Sequence, residues 1–305
     1  MIRAPLRPAP VGVAVVANAA VPTKSFPMSA RPSLQRGPYS PVTMAQPTKL
    51  DPRALKSTWQ DVNSRPPTAN QRGNMFSCTS LDQWCTPKAD NYQGLRVVRP
   101  LDPLQWQDVA DRLHKENRAA ENDTLHQEII NLAMSEVELE ERLREAALAV
   151  SGSCGLPADL AKLVCKDAQA IALATRTMLP QAQEMIMKLE LFGENVCSRW
   201  HQDHYVCRAL VAYNCSGTDF TVHSNVDFYE MEHCGNNDHI IRDKAKIHSA
   251  NVGDIVMIKG IMFPGRSRGI VHKSPDKRYY ENGDVQSRIV LKVDILEIAG
   301  GAVKN

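Results

Sequence analysis

The hydrophobic period of this chain changes once, at Pro180, and that change limits the folds open to it. Before it, apolar residues recur every three or four positions. Asp102 caps and Pro103 starts a helix whose Trp106, Val109, Ala110 and Leu113 share one face. Thr124-x-x-Gln127 has the pattern of a capping box, opening a longer helix through Ile129, Leu132, Ala133, Val137 and Leu143 toward Val150. The acidic and basic run from Glu136 to Glu145 makes its solvated side. Pro157 starts a third helix, with Leu160, Leu163, Val164 and Ile171 inward. After Pro180 the period is two. Met185, Met187, Leu189 and Leu191 alternate with more polar neighbours, as in a half-buried strand. Strands follow at Tyr205–Tyr213, Thr218–His223, Ile255–Ile258, Arg268–His272 and Ser287–Ile295, separated by turn signals. Helices followed by many short strands predict an α+β chain with a helical layer on a barrel-like or jelly-roll sheet.

The chemistry concentrates at Cys197-Ser198-Arg199-Trp200-His201-Gln202-Asp203-His204, at the entrance of the strand ending at Tyr213. On a strand starting near His201, residues i and i+2 share a side, so His201 and Asp203 point together. With His272 from a facing strand they form a two-His, one-carboxylate triad, which leaves coordination positions open on a divalent metal. Seven of the nine histidines lie between His201 and His272. The plain alternative is a polar sheet surface with one structural histidine. Cys197 and Cys207 beside His201 are a second candidate donor set, and His223, His233, Cys234 and His239 a third, on a polar insertion running from Ser224 to Asp243. His204, next to Asp203, faces away.

Length, charge and cysteine spacing exclude several classes. The 305 residues are enough for one large domain with a real core. A net charge of +2 gives no electrostatic case for nucleic acid or an anionic membrane surface. Eight cysteines without a CxxC pair form neither a disulfide framework nor a zinc ribbon. No apolar run is long enough to span a bilayer. Residues 1–50 contain no acid but carry Arg3, Arg7, Lys24, Arg31, Arg36 and Lys49, the composition of a chloroplast or mitochondrial transit segment. The alternative is a secretory signal cleaved at Ala17-Asn18-Ala19. Residues 51–94 read as an extended arm with little regular structure, 95–297 as one helical-plus-β-barrel domain, and 298–305 as a tail.

Cys197-x3-His201-x-Asp203, then Arg208, Tyr213, Gly217-Thr218, Gly253-Asp254 with Lys259-Gly260, and Gly269-x-x-His272-x-Ser274-Pro275 resemble the domain-of-unknown-function family 1826 over about residues 95–297. That family has no established activity; its members occur near genes of zinc supply. The chain departs from the bacterial pattern in its long N-terminal arm and in the His-rich insertion between Phe220 and Lys246. A looser likeness joins His201-x-Asp203, His272 and Arg288 to the iron- and 2-oxoglutarate-dependent dioxygenases. Gly253-Asp254 through Pro264-Gly265 to His272 is similar to the second motif of cupins. Both likenesses imply a double-stranded β-helix. The first also implies Fe(II) at His201, Asp203 and His272, and 2-oxoglutarate held by Arg288, whose guanidinium fork suits a carboxylate. Two functions follow: an Fe(II)/2-oxoglutarate oxygenase acting on a small molecule or protein, or a non-catalytic Zn(II)-binding protein of zinc homeostasis.

Overall fold

The alternation after Pro180 produces a sheet with one apolar face and one face divided between apolar and charged residues. In the computed structural model, residues 74–298 are described, apart from 118–122 and the single positions 195, 234 and 266. The expected transit segment and most of the tail lie outside these residues.

The final strand shows the rule. In β10 (Arg288–Ile295), Ile289, Leu291, Val293 and Ile295 enter the main core, while Arg288, Val290, Lys292 and Asp294 occupy the other face. Its neighbours β4 (Glu184–Phe192) and β5 (Cys207–Ala212) alternate in register with it, both antiparallel. The main core is closed by two long helices, which pack on each other and against β4 and β10. These are α2 (Glu136–Gly152) and α3 (Ala158–Met178); the shorter α1 (Gln107–Asn117) precedes them. The first helix starts at Gln107 rather than at Pro103, so Trp106 lies just ahead of it, but Trp106, Ala110 and Leu113 are buried as expected, as are Leu160, Val164 and Ile171 on the third.

The full large sheet has the order β1-β2-β8-β5-β10-β4-β3, adding β1 (Met75–Cys78), β2 (Gly94–Val97), β3 (Thr124–Asn131) and β8 (Ile255–Lys259). A small sheet has the order β7-β6-β9, from β7 (His248–Ser249), β6 (Asp219–Thr221) and β9 (Val271–Lys273), and His201 extends it by one bridge to His272. From β4 onward the chain alternates between the two sheets except at β6 and β7, which are successive strands of the small one. Counting β4, His201, β5, β6, β7, β8, β9 and β10 as eight positions, the large sheet reads 1-8-3-6 and the small one 2-7-4-5. That interleaving is a double-stranded β-helix, and the helices lie on its outer side. A second apolar cluster fills the space between the sheets with Leu210, Ala212, Phe220, Val256, Ile258, Ile270 and Val290.

Three expectations need correction. Thr124 does not cap a helix: residues 124–131 form the edge strand β3, paired antiparallel with β4. The β-branched pair Ile129-Ile130 and an open edge on β4 outweigh the capping pattern. The working capping box lies eleven residues on, where Ser135 Oγ accepts from the Glu138 amide (3.4 Å) and Glu138 Oε2 accepts from the Ser135 amide (3.2 Å). The low-structure reading fails for residues 74–94, which carry β1, the start of β2, two 3-10 turns and the fully buried Trp84. Four-residue strands are too short to show a period. The motif strand is not continuous either, since His201 pairs in the small sheet while β5 begins only at Cys207. The insertion forms two short helices, α4 (Phe228–Glu232) and α5 (Asn237–Ile240), against Trp200 and Val271 on the small sheet. No helix among the described residues is long and apolar enough to cross a membrane.

Buried polar groups lock these layers. Arg99 grips Asp167 of α3 through two hydrogen bonds of 2.6 Å, and Tyr213 donates to the same carboxylate at 3.0 Å. Gly253 turns with φ +89 into Asp254, whose two oxygens accept from the Arg99 and Asn251 amides. Lys259, 1% exposed, donates to the Ala89 carbonyl at 2.8 Å and lies over the Phe263 ring. Burial pushes its pKa down to about 8, against the opposing pull of Asp90 and Cys207. The folded protein therefore binds fewer protons at this site than the unfolded chain between about pH 8 and the ordinary lysine value, so stability rises with pH across that window. In urea denaturation, wild type should gain roughly 3 kcal/mol relative to Lys259→Met between about pH 8 and pH 10.5. A difference that stays flat with pH contradicts this account.

Candidate metal centre

Position is set first by the backbone. The His201 amide donates to the His272 carbonyl and the His272 amide to the His201 carbonyl, both at 3.0 Å. The two residues are thus a directly opposed antiparallel pair, and their rings stand on one side with centroids 4.4 Å apart. His272 is accordingly a neighbour of His201 within the small sheet, not a residue on a facing strand as expected. Asp203, two residues on, turns to the same side. One donor atom from each of the three residues lies within 4.8 Å of the others, and no second group of three such residues occurs among the described residues.

The tautomers suit a metal. His201 Nδ1 donates to the Arg199 carbonyl (2.8 Å) and His272 Nδ1 to the Ile270 carbonyl (3.1 Å). A carbonyl can only accept, so in the neutral rings each Nε2 keeps its lone pair. Those lone pairs face Asp203: His201 Nε2 is 3.5 Å from Oδ1, and His272 Nε2 is 3.7 Å from Oδ2. Donors on one ion at about 2.0–2.2 Å stand roughly 3–4 Å apart, so this spacing fits. The Asp203 side chain is 6% exposed and the His201 side chain 37%, so the centre opens on the His201 side.

Charge follows from burial and neighbours. Burial alone would raise the Asp203 carboxyl, but His201, His272 and Arg208 together hold it well below the usual carboxylate range. Burial pushes His272 down to about 4, so it is neutral at physiological pH. Burial also disfavours the His201 cation, but Asp203 and the Arg199 carbonyl reverse this and leave its pKa raised. Arg208 donates to Asp203 Oδ2 (3.3 Å) and grips Asp294 through Nε (2.7 Å) and a terminal nitrogen (3.2 Å). Lys188 lies 3.3 Å from Asp294 and 3.4 Å from Glu190, and Glu190 pairs with Lys292. A row of paired charges thus runs along the inner face of the large sheet.

The other candidates fall elsewhere. Cys207 is fully buried in the main core, its thiol pushed up by burial, and Cys197 is exposed; neither joins His201. His204 is exposed, facing away as expected. His223 is half-buried against Gln93 and the Gly269 carbonyl, and His233 stacks on Tyr229. Cys234 lies outside the described residues. Arg288 is buried at the start of β10, where the Asn214 side chain fixes the backbone on both sides of it: its amide donates to the Ser287 carbonyl, and its oxygen accepts from the Ile289 amide, each at 2.8 Å. Sequence reasoning missed Asp294, whose signal was available: the polar residues of this otherwise apolar strand, Arg288, Lys292 and Asp294, all fall on one side of its two-residue period.

Residues 89–294 match the family described as protein of unknown function, DUF1826. The chain belongs to the DUF1826 family. None of the curated proteins matches the sequence. Solved structures similar to this DUF1826 chain at low identity include the following three. The rice dioxygenase for auxin oxidation is 11% identical over 72% of this chain and 77% of its own, with a TM-score of 0.36. A full-length Neurospora crassa protein, solved in complex with alpha-KG, is 11% identical over 73% and 83%, with a TM-score of 0.38. A Pseudomonas putida prolyl-4-hydroxylase is 11% identical over 72% and 97%, with a TM-score of 0.31.

The geometry makes a quantitative expectation. Calorimetric titration of Mn(II) should show one site in the wild type. His201→Ala, Asp203→Ala or His272→Ala should weaken it by more than about 100-fold, beyond the 10- to 100-fold typical of losing an outer partner. Equal binding by His272→Ala and wild type would contradict the site.

Proposed function

We propose that this DUF1826 protein is an Fe(II)- and 2-oxoglutarate-dependent dioxygenase. The observation that carries the reading is Arg288. Its residue is 6% exposed, yet among the described residues no carboxylate lies within 4 Å of its guanidinium. Its contacts are the Ser216 carbonyl at 3.2 Å, Ser274 Oγ at 3.5 Å and the face of Phe192, 5.5 Å from the ring centroid. Burial pushes its pKa down to about 10, opposed by Cys215, Asp219 and Glu190, so it stays charged at neutral pH. A buried cation without a paired anion is costly, and a carboxylate ligand supplies that anion.

Ser274 lies two residues beyond His272, roughly 7 Å of extended chain. That separation suits a five-carbon diacid with one end at the metal and the other at the Arg288 fork. Bound Fe(II) with 2-oxoglutarate supplies oxidation of a C–H bond by molecular oxygen, the diacid being decarboxylated to succinate. The protein's part is placement. His201, Asp203 and His272 would hold the metal, and three protein donors would leave coordination positions for other ligands. Arg288 fixes the far carboxylate by parallel charge-assisted bonds. Asn214 keeps the Arg288 backbone in place. A small molecule or a protein segment reaching the centre from the His201 side is the substrate class.

The test separates this reading from a zinc-binding protein without catalysis. Calorimetric titration of 2-oxoglutarate into Mn(II)-loaded wild type should give binding. Arg288→Ala should keep the metal and weaken 2-oxoglutarate by about 10- to 150-fold, the loss of a charge-assisted pair of roughly 1.5–3 kcal/mol. No heat from the metal-loaded wild type, with Zn(II) retained through purification, overturns the oxygenase in favour of the zinc binder.

A further inference from the structure

Arg208 is one of the residues carrying the family likeness, and the proposed chemistry leaves it without a role. It is the second residue of β5, and the register places it directly opposite Asp294 on β10. Three contacts fix its guanidinium. Asp294 accepts two hydrogen bonds along the fork, at 2.7 and 3.2 Å. The Tyr205 ring lies against it, 4.7 Å from centroid to the guanidinium carbon. The remaining terminal nitrogen reaches Asp203 Oδ2 at 3.3 Å. Asp294 is itself buried, with Lys188 Nζ 3.3 Å from Oδ2, the oxygen that also accepts from Arg208. A planar group gripped at two edges cannot follow a moving carboxylate, so the carboxylate must settle against it. Asp203 Oδ2 is therefore committed to Arg208, although it also lies 3.7 Å from His272 Nε2, while Oδ1 faces His201 Nε2 at 3.5 Å.

The geometry assigns Arg208, anchored by Asp294, as the positioning residue that presents Asp203 to the metal through Oδ1 alone. This rests on the metal-centre reading above. One-oxygen ligation has a consequence for that centre: it keeps free a coordination position that a chelating carboxylate would occupy. The neutralising guanidinium also prevents a buried carboxylate from collapsing onto the two imidazoles.

Co(II) titration followed by the visible d–d spectrum tests it, on variants whose folding is checked by circular dichroism. Arg208→Met should bind Co(II) about 10- to 100-fold more weakly than wild type, with a changed d–d spectrum as Asp203 turns to offer both oxygens. Asp294→Asn keeps the Arg208 charge but loosens its anchor, and should lose about tenfold. Arg208→Lys should regain part of the affinity through its charge, yet not the wild-type spectrum, because it lacks the fork. Should Arg208→Met fail to fold, Asp294→Asn and Arg208→Lys decide the question alone. Folded variants that bind Co(II) within about twofold of wild type with its spectrum overturn the proposal and leave Arg208 a structural residue. The metal-centre reading fails separately: it falls if wild type binds no Co(II), or if His272→Ala binds as well as wild type, and it takes the positioning role with it.

Discussion

A carboxylate buried between two imidazoles is the constraint on which the rest of this structure depends. Asp203 has lost most of its hydration, and an unpaired buried carboxylate would take up a proton. It remains ionised because Arg208 and the two histidines face it, and Arg208 in turn needs Asp294. Asp294 sits on the last strand, Arg208 on the strand beside it, His272 and His201 in the opposite sheet. The centre thus exists only when both sheets have closed. A chain with β10 unpaired has no Asp294 to hold Arg208, and a chain without the small sheet has no histidine pair.

The same dependence explains the divided character of the large sheet. Its outer face is apolar because α2 and α3 cover it. The inner face is split: where the small sheet covers it the residues are Leu210, Ala212, Val256, Ile258 and Val290, while Arg208, Asp294, Lys188, Glu190 and Lys292 form a paired row. Pairing keeps most of these charges satisfied. Arg288 is the exception, and the proposed function rests on that.

Much of this was legible in the residues. The period change at Pro180 marked the sheet, and Met185 to Leu191 and Ile289 to Ile295 showed which faces are buried. His201-x-Asp203 and His272 were found by spacing and likeness, and the structure brings them together. The sequence could not say that His201 and His272 pair directly, because a single bridge leaves no periodic trace. Thr124 and Ser135 both carry capping-box patterns, and only the open edge of β4 decides between them. Nor could local pattern show that Arg208 bridges Asp203 to Asp294, a contact spanning 86 positions between Arg208 and Asp294.

The most direct test of the central claim is optical. Fe(II) and 2-oxoglutarate added to the purified protein without oxygen should produce the metal-to-ligand charge-transfer absorption of a chelated 2-oxo acid, and His272→Ala should not produce it. Wild-type protein that shows no such band with both components in excess would contradict the account.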